Sequence, residues 1–128
     1  MSGFCLGVAF SVIHAMIPAT SLTLAWTHSV EHVRWEEDYA IRDGKLVLTA
    51  ARVQGSGAGM EPGVNGVQRG DWWEYHPDIG PLPKITLANS DFTGDYTLCA
   101  NGKCQKLGAL LGNADRNKPV DLFPCPMK

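Results

Sequence analysis

Basic side chains are missing from the first quarter of this 128-residue chain: no lysine or arginine precedes Arg34, and no two of them stand side by side anywhere. With a net charge of −2, the chain has no excess of cations for a phosphate-binding surface, which argues against nucleic acid as a partner. Heptads, internal repeats and long amphipathic helices are also missing, which removes coiled coils, solenoids and helical bundles. There is no HExxH, no CxxC pair and no GxSxG elbow, so the common zinc, dithiol and serine-hydrolase signatures are absent. The fractions of hydrophobic residues (45%) and charged residues (19%) suit a globular protein, neither disordered nor threaded repeatedly through a membrane.

What is present is turn chemistry. Fourteen glycines and eight prolines punctuate a chain long enough for one domain with one core. "SLTLAWTHSV" (21–30) sets Leu22, Leu24 and Trp26 against Ser21, Thr23 and Ala25, the period-two pattern of a half-buried strand. "WEEDYAI" continues as a second strand. "IRDGKLVLTAARV" (41–53) reads as a hairpin turning at Asp43-Gly44, with Leu46, Leu48 and Ala50 on one face and Val47, Thr49 and Ala51 on the other. "WWEYHP" (72–77), "PLPKITLANS" (81–90), "GDYTLCANGKCQKL" (94–107) and "PVDLFPC" (119–125) add short strands, and "LGALLG" (107–112) a single helical turn. Alternation would bury only one of Trp72 and Trp73. The fold class expected is all-β: a small antiparallel β-sandwich or barrel of about seven to eight short strands.

The N-terminal "FCLGVAFSVIHAMIP" (4–18) is almost wholly apolar. Spanning a bilayer takes about 20 apolar residues, so the segment is short for a transmembrane helix. It fits the h-region of an export signal, with "PATS" (18–21) as its small-residue exit, although a positively charged n-region is missing. Residues 1–20 are therefore read as an apolar leader, export signal or anchor, and 21–128 as a single all-β domain. The alternative is a buried first strand or helix. Outside that leader and its Cys5 lie Cys99, Cys104 and Cys125. Asn101-Gly102 suits a type I′ turn, which sets Cys99 opposite Cys104 at a non-hydrogen-bonded pair, where a disulfide fits. Cys104–Cys125 and Cys99–Cys125 are the other pairings open, and an oxidising compartment follows from any of them.

The densest polar stretch is "WTHSVEHVRWEEDY" (26–39). Extended, it points Ser29, Glu31 and Glu37 to one side and His28 and His32 to the other, unless a bulge or turn near Val33-Arg34 breaks the alternation. A divalent metal held by His28, Glu31 and Glu37 is one reading, weak without a recognisable ligand motif. Catalysis by Ser29 fails because neighbours on a strand point apart. The favoured reading is a polar network of His28 with Glu31 or Glu37 that fixes sheet register; a binding surface for a partner or small anion is the other. "GSGAGM" (55–60) lacks the Lys-Ser/Thr ending of a phosphate loop. The N–H groups around Gly57, Gly59 and Met60 suit an anion nest, or more simply a tight crossing where a side chain does not fit.

"THSVEHVRWEEDY" followed by "GSGAGM" resembles the bacterial family known as domain of unknown function 1850. The resemblance rests on Thr27, His28, Ser29, Val30 and Glu31, then Glu37 with Tyr39, then Gly57, Ala58, Gly59 and Met60, and extends from about Leu22 to the C-terminus. It implies a short exported protein whose gene sits beside a tripartite ATP-independent periplasmic (TRAP) transporter of the TAXI type. It also implies an accessory role at the periplasmic face of a carboxylate transporter, with no established activity. His28, Ser29, Glu31 and Glu37 with the Gly57–Met60 loop would form the shared centre. The expected partners are the transporter's membrane subunits or its solute receptor; no cofactor and no enzymatic activity are expected. The expected location is periplasmic or exported, with membrane contact only through an uncleaved leader. A stand-alone periplasmic protein binding a ligand or metal is the rival expectation.

Overall fold

The alternation seen in Leu22, Leu24 and Trp26 recurs along most of the chain. A computed structural model, which describes residues 2–8, 13–27, 33–55, 66–88, 96–112 and 118–126, resolves it into eleven strands and one short helix. In order these are β1 (Ser2–Val8), β2 (Ile13–Ile17), β3 (Ser21–Thr27), β4 (Arg34–Arg42), β5 (Lys45–Gln54), β6 (Val67–Arg69), β7 (Trp72–Tyr75), β8 (Ile85–Leu87), β9 (Thr97–Ala100), β10 (Lys103–Lys106), α1 (Leu107–Leu111) and β11 (Val120–Pro126). All pairings are antiparallel. They make a four-stranded sheet, β2-β1-β11-β8, and a seven-stranded sheet, β10-β9-β3-β4-β5-β7-β6, arranged as a sandwich. The all-β antiparallel expectation holds, with more and shorter strands than the sequence pattern resolved.

The core lies between the sheets. Phe4, Leu6, Ile17, Leu87, Val120 and Leu122 from the smaller sheet meet Leu22, Leu24, Tyr39, Leu46, Leu48 and Leu98 from the larger. Reciprocal backbone hydrogen bonds between Leu46 and Leu82, both 2.8 Å, tie β5 to the segment that leads into β8. The predicted helical turn is α1, which follows β10, packs beside β2, and buries Leu107 and Leu111.

Both predicted hairpin turns are present, because their residues tolerate positive φ. Asp43 and Gly44 lie at φ 53° and 75°, Asn101 and Gly102 at 55° and 76°. The second turn places Cys99 opposite Cys104, as its spacing predicts, and the two form a disulfide with Cα atoms 4.0 Å apart.

The apolar N-terminus is part of the sandwich. β1 pairs along its whole length with β11, from Ser2↔Pro126 to Val8↔Val120. β1 and β2, within the stretch expected as a leader, are thus strands of the smaller sheet. The cysteine pairing is corrected with it: Cys125 bonds to Cys5, with Cα atoms 5.9 Å apart, and not to Cys99 or Cys104. Among the described residues no helix is long and apolar enough to cross a membrane.

A second correction concerns β5. The register shifts so that Asp38 faces Ala50 while Tyr39 faces Leu48, leaving Thr49 as an extra residue. Such a bulge reverses the alternation beyond it. Leu46 and Leu48 therefore share the inner face with Ala51 and Val53, not with Ala50. Two hydrogen bonds hold Thr49: its carbonyl accepts from His76 Nδ1 at 2.9 Å, and its hydroxyl donates to the Asp38 carbonyl at 3.2 Å. β3 and β4 pair antiparallel up to Thr27↔Arg34, so the chain also reverses just before Arg34, where a bulge or turn is expected; residues 28–32 lie outside the described residues.

The Cys5–Cys125 bridge closes a loop with a sequence separation of 120 residues. Chain entropy assigns such a cross-link about 5 kcal/mol, against about 2 kcal/mol for the short Cys99–Cys104 loop. Urea unfolding of the paired Cys→Ser variants checks this: Cys5→Ser/Cys125→Ser is expected to lose at least twice the stability that Cys99→Ser/Cys104→Ser loses.

Candidate functional site

Consecutive residues of a strand point to opposite faces, and β4 uses this to separate two kinds of acidic chemistry. Trp35, Glu37 and Tyr39 face inward; Glu36 and Asp38 face outward, as the alternation predicts. Opposite Glu37 stand Leu24 on β3 and Ala51 on β5, so its carboxylate rises from an otherwise apolar surface.

Aromatic rings surround it. Register places Trp26, Trp35, Tyr39, Trp73 and Tyr75 on the same inner face, and Tyr96 packs against Trp26. All three tyrosines of the chain and three of its four tryptophans thus gather in one half of the larger sheet. Trp26 and Trp35 are directly paired across β3 and β4 and stack with centroids 6.2 Å apart and planes 13° apart. Trp73 lies against Gly66, where an added Cβ would collide with the indole. Trp72 faces the other way, and both tryptophans are half-buried. Leu24, Trp26, Glu37, Tyr39, Tyr96 and β8 line an open cleft of about 250 Å³ between the inner face and β8, the edge of the smaller sheet.

The Tyr39 hydroxyl donates to Glu37 Oε1 at 2.9 Å. Burial pushes the Glu37 carboxyl above its ordinary value, and this hydrogen bond only partly opposes it. The same burial raises the phenols of Tyr39, Tyr75 and Tyr96, and the nearby Glu37 charge adds to each. Trp35 Nε1 is buried without an acceptor.

On the outer face the carboxylates are neutralised. Arg52, brought outward by the Thr49 bulge, forks onto Asp38 with two bonds of 2.8 Å and donates to Glu36 at 3.1 Å and Glu74 at 3.4 Å. Thr23 Oγ1 donates to Asp38 Oδ1 at 2.7 Å, and Arg69 Nε to Glu74 Oε2 at 3.0 Å. The Arg52 hydrogen bonds hold the Asp38 carboxyl below its ordinary value despite burial, and Arg52 is itself raised by its bonds to Asp38.

Of the residues predicted for the site, Glu37 is placed as described. Cys99, Cys104 and Cys125 are all in disulfides. His28, Ser29, Glu31, Gly57, Gly59 and Met60 lie outside the described residues, and with them the proposed network and the weak metal reading. Among the described residues no group of three or more His, Cys, Asp or Glu is arranged to hold a metal. The strand ends still carry information. Thr27 and Gly55, the last described residues before the two motif segments, end neighbouring rows at one end of the larger sheet. Their strands are two places apart, about 10 Å at ordinary strand spacing. Tyr96, just before β9, lies at the same end, where it meets Trp26. Sequence reasoning missed Arg52 as partner of Asp38 and Tyr96 as a cleft wall. The Arg52 pairing was hidden by the bulge; for Tyr96 the signal was weak, since its partner Trp26 is seventy positions away.

Two neighbouring carboxylates should therefore respond oppositely to acid. Asp38 titrates lower when folded than when unfolded, so its contribution is full above its ordinary value of 3.8 and is lost as pH falls through the lower folded value. Glu37 titrates higher when folded, so stability rises as pH falls through that value toward its ordinary 4.5. Urea unfolding across this range is expected to show Glu37→Gln as stable as the parent or more so at neutral pH, with the gap closing in acid. Arg52→Ala leaves Asp38 without a cation and leaves Glu36 and Glu74 to Arg34 at 3.4 Å and Arg69 at 3.0 Å, all three carboxylates being less than a third exposed. It should cost about 2–4 kcal/mol at neutral pH, between the values for exposed and buried pairs, and less once the carboxylates are protonated.

The comparisons with known proteins come to one family. A search of curated proteins and a search of solved structures each returned no match. The profile of the family described as Domain of unknown function (DUF1850) matches residues 22–107, from the second residue of β3 through the first of α1. That span takes in Glu37, the aromatic half of the larger sheet, the Arg52 network and both motif segments, and the chain belongs to the DUF1850 family.

Proposed function

We propose that this protein is an exported, non-catalytic accessory of a TAXI-type TRAP transporter. It would bind the transporter's membrane subunits or its solute receptor through the end of the sandwich that carries the Glu37 cleft. One observation carries the reading: Thr27 and Gly55, where the two motif segments begin, lie at the same end of the larger sheet, about 10 Å apart, beside an aromatic cleft that holds the inward carboxylate of Glu37. Family membership supports it through the transporter association that the resemblance implies. The two disulfides suit the oxidising compartment in which such a transporter meets its receptor.

The cleft favours a second reading, a stand-alone periplasmic protein that captures a small ligand. Affinity purification of the tagged full chain from membranes of its own host, after mild cross-linking and with identification by mass spectrometry, separates the two. Transporter subunits or the receptor are expected among the captured proteins, and Trp26→Ala at the cleft rim should reduce their recovery. Recovery of the chain alone would overturn the accessory reading in favour of the second.

A further inference from the structure

Outside the cleft, the carboxylates that sit in hydrogen-bonding clusters have cations: Arg52 serves Glu36, Asp38 and Glu74 on the larger sheet, and Lys84, just before β8, serves Asp121 on the smaller. Glu37 differs. No basic side chain among the described residues pairs with it. Its Oε1 accepts from Tyr39, and its Oε2 takes no hydrogen bond from a described residue. A carboxylate in such surroundings is costly to keep charged unless a cation comes to it.

The walls favour a cation as well. The faces of indole and phenol rings carry negative electrostatic potential and attract ammonium and guanidinium groups, most strongly where water is excluded. Trp26 and Tyr96, with centroids 5.7 Å apart and planes at 51°, form two sides of an angled corner beside Glu37. An anion placed there would meet the Glu37 charge. The volume of about 250 Å³ lies below the range of about 300–1,000 Å³ usual for drug-sized ligands. It suits one charged head group with a short apolar stem against Leu24 and Ile85.

We propose that the Glu37 cleft binds an organic cation, an alkylammonium or guanidinium group, with the Glu37 carboxylate as counter-ion and the Trp26 and Tyr96 rings as walls. This rests on the cleft being a binding site, the element common to both readings above, and names its ligand class.

The test uses the purified full chain, titrated with n-butylammonium, n-butylguanidinium and n-butyrate, followed by tryptophan fluorescence and calorimetry. Saturable binding of at least one cation, with none of butyrate, is expected. Glu37→Gln, with folding verified by its urea transition, should weaken cation binding by about ten-fold or more. Asp78→Asn, an exposed charge away from the cleft, controls for net charge and should bind as the parent does. Equal cation affinity in Glu37→Gln overturns the proposal. Preference for butyrate also overturns it while leaving the cleft a ligand site, and binding of none of the three overturns the cleft as a small-ligand site too. Capture of the transporter is read separately, so it can succeed while the cation assignment fails, or the reverse.

Discussion

One extra residue in β5 decides what each face of the larger sheet carries. Without Thr49 as a bulge, the alternation begun by Leu46 and Leu48 would continue through Ala50 and Arg52. The guanidinium would then point into the sandwich, and Ala51 and Val53 would point to solvent. With it, Val53 and Ala51 stand opposite Trp35 and Glu37 inside, while Arg52 reaches Glu36, Asp38 and Glu74 outside. A bulge leaves a residue outside the ladder and so needs partners beyond it. His76 and the Asp38 carbonyl hold Thr49 in place. The ion network and the cleft are thus two consequences of the same local irregularity.

The smaller sheet answers to a different constraint. Its two central strands are the first and the last of the chain, and their seven-residue register is what builds it. A contact of such sequence separation is slow to find and entropically expensive to close, and the Cys5–Cys125 bond makes it permanent. Four strands at about 4.8 Å spacing cannot cover seven, so part of the larger sheet's inner face is left to other cover. Tyr39 lies in the shared core, Trp26 and Tyr96 pack at its margin, and the cleft opens beside them at β8, where the smaller sheet ends.

Much of this was legible locally. Period-two alternation identified β3, β4 and the start of β5, and Asp43-Gly44 and Asn101-Gly102 identified their turns. The second turn in turn identified Cys99–Cys104. Signals failed where they depended on distant partners. A short apolar run is equally a signal-peptide h-region or a strand buried on both faces; only β11, more than a hundred residues away, makes β1 a strand. The Cys125 pairing went astray for the same reason, since setting Cys5 aside in a leader removed its partner from consideration. Thr49 carries no bulge signal of its own, so the reversal beyond it, and the meeting of Arg52 with Asp38, could not be read from spacing. Of the candidate centre, Glu37 was placed on the right face by alternation alone. Its surroundings, drawn from β3, β7, β8 and the approach to β9, were not.

Glu37 and Asp38 are adjacent in sequence and chemically similar, yet they meet opposite environments because a strand turns each residue half a revolution from the last. Asp38 lands beside Arg52 and Thr23 and becomes part of the sheet's own fastening. Glu37 lands among rings and leucines with one phenolic hydrogen bond, an arrangement that burdens the folded state whenever the carboxyl is ionised. An amide of the same shape would fill that position without the burden. A fold that needed only register there has Leu24, Tyr39 and the stacked Trp26–Trp35 pair to supply it. The physical role left for an inward charge at the open end of the sandwich is to act on something arriving from outside, and a ring-walled corner beside a carboxylate that no cation among the described residues pairs favours an arrival that is positively charged.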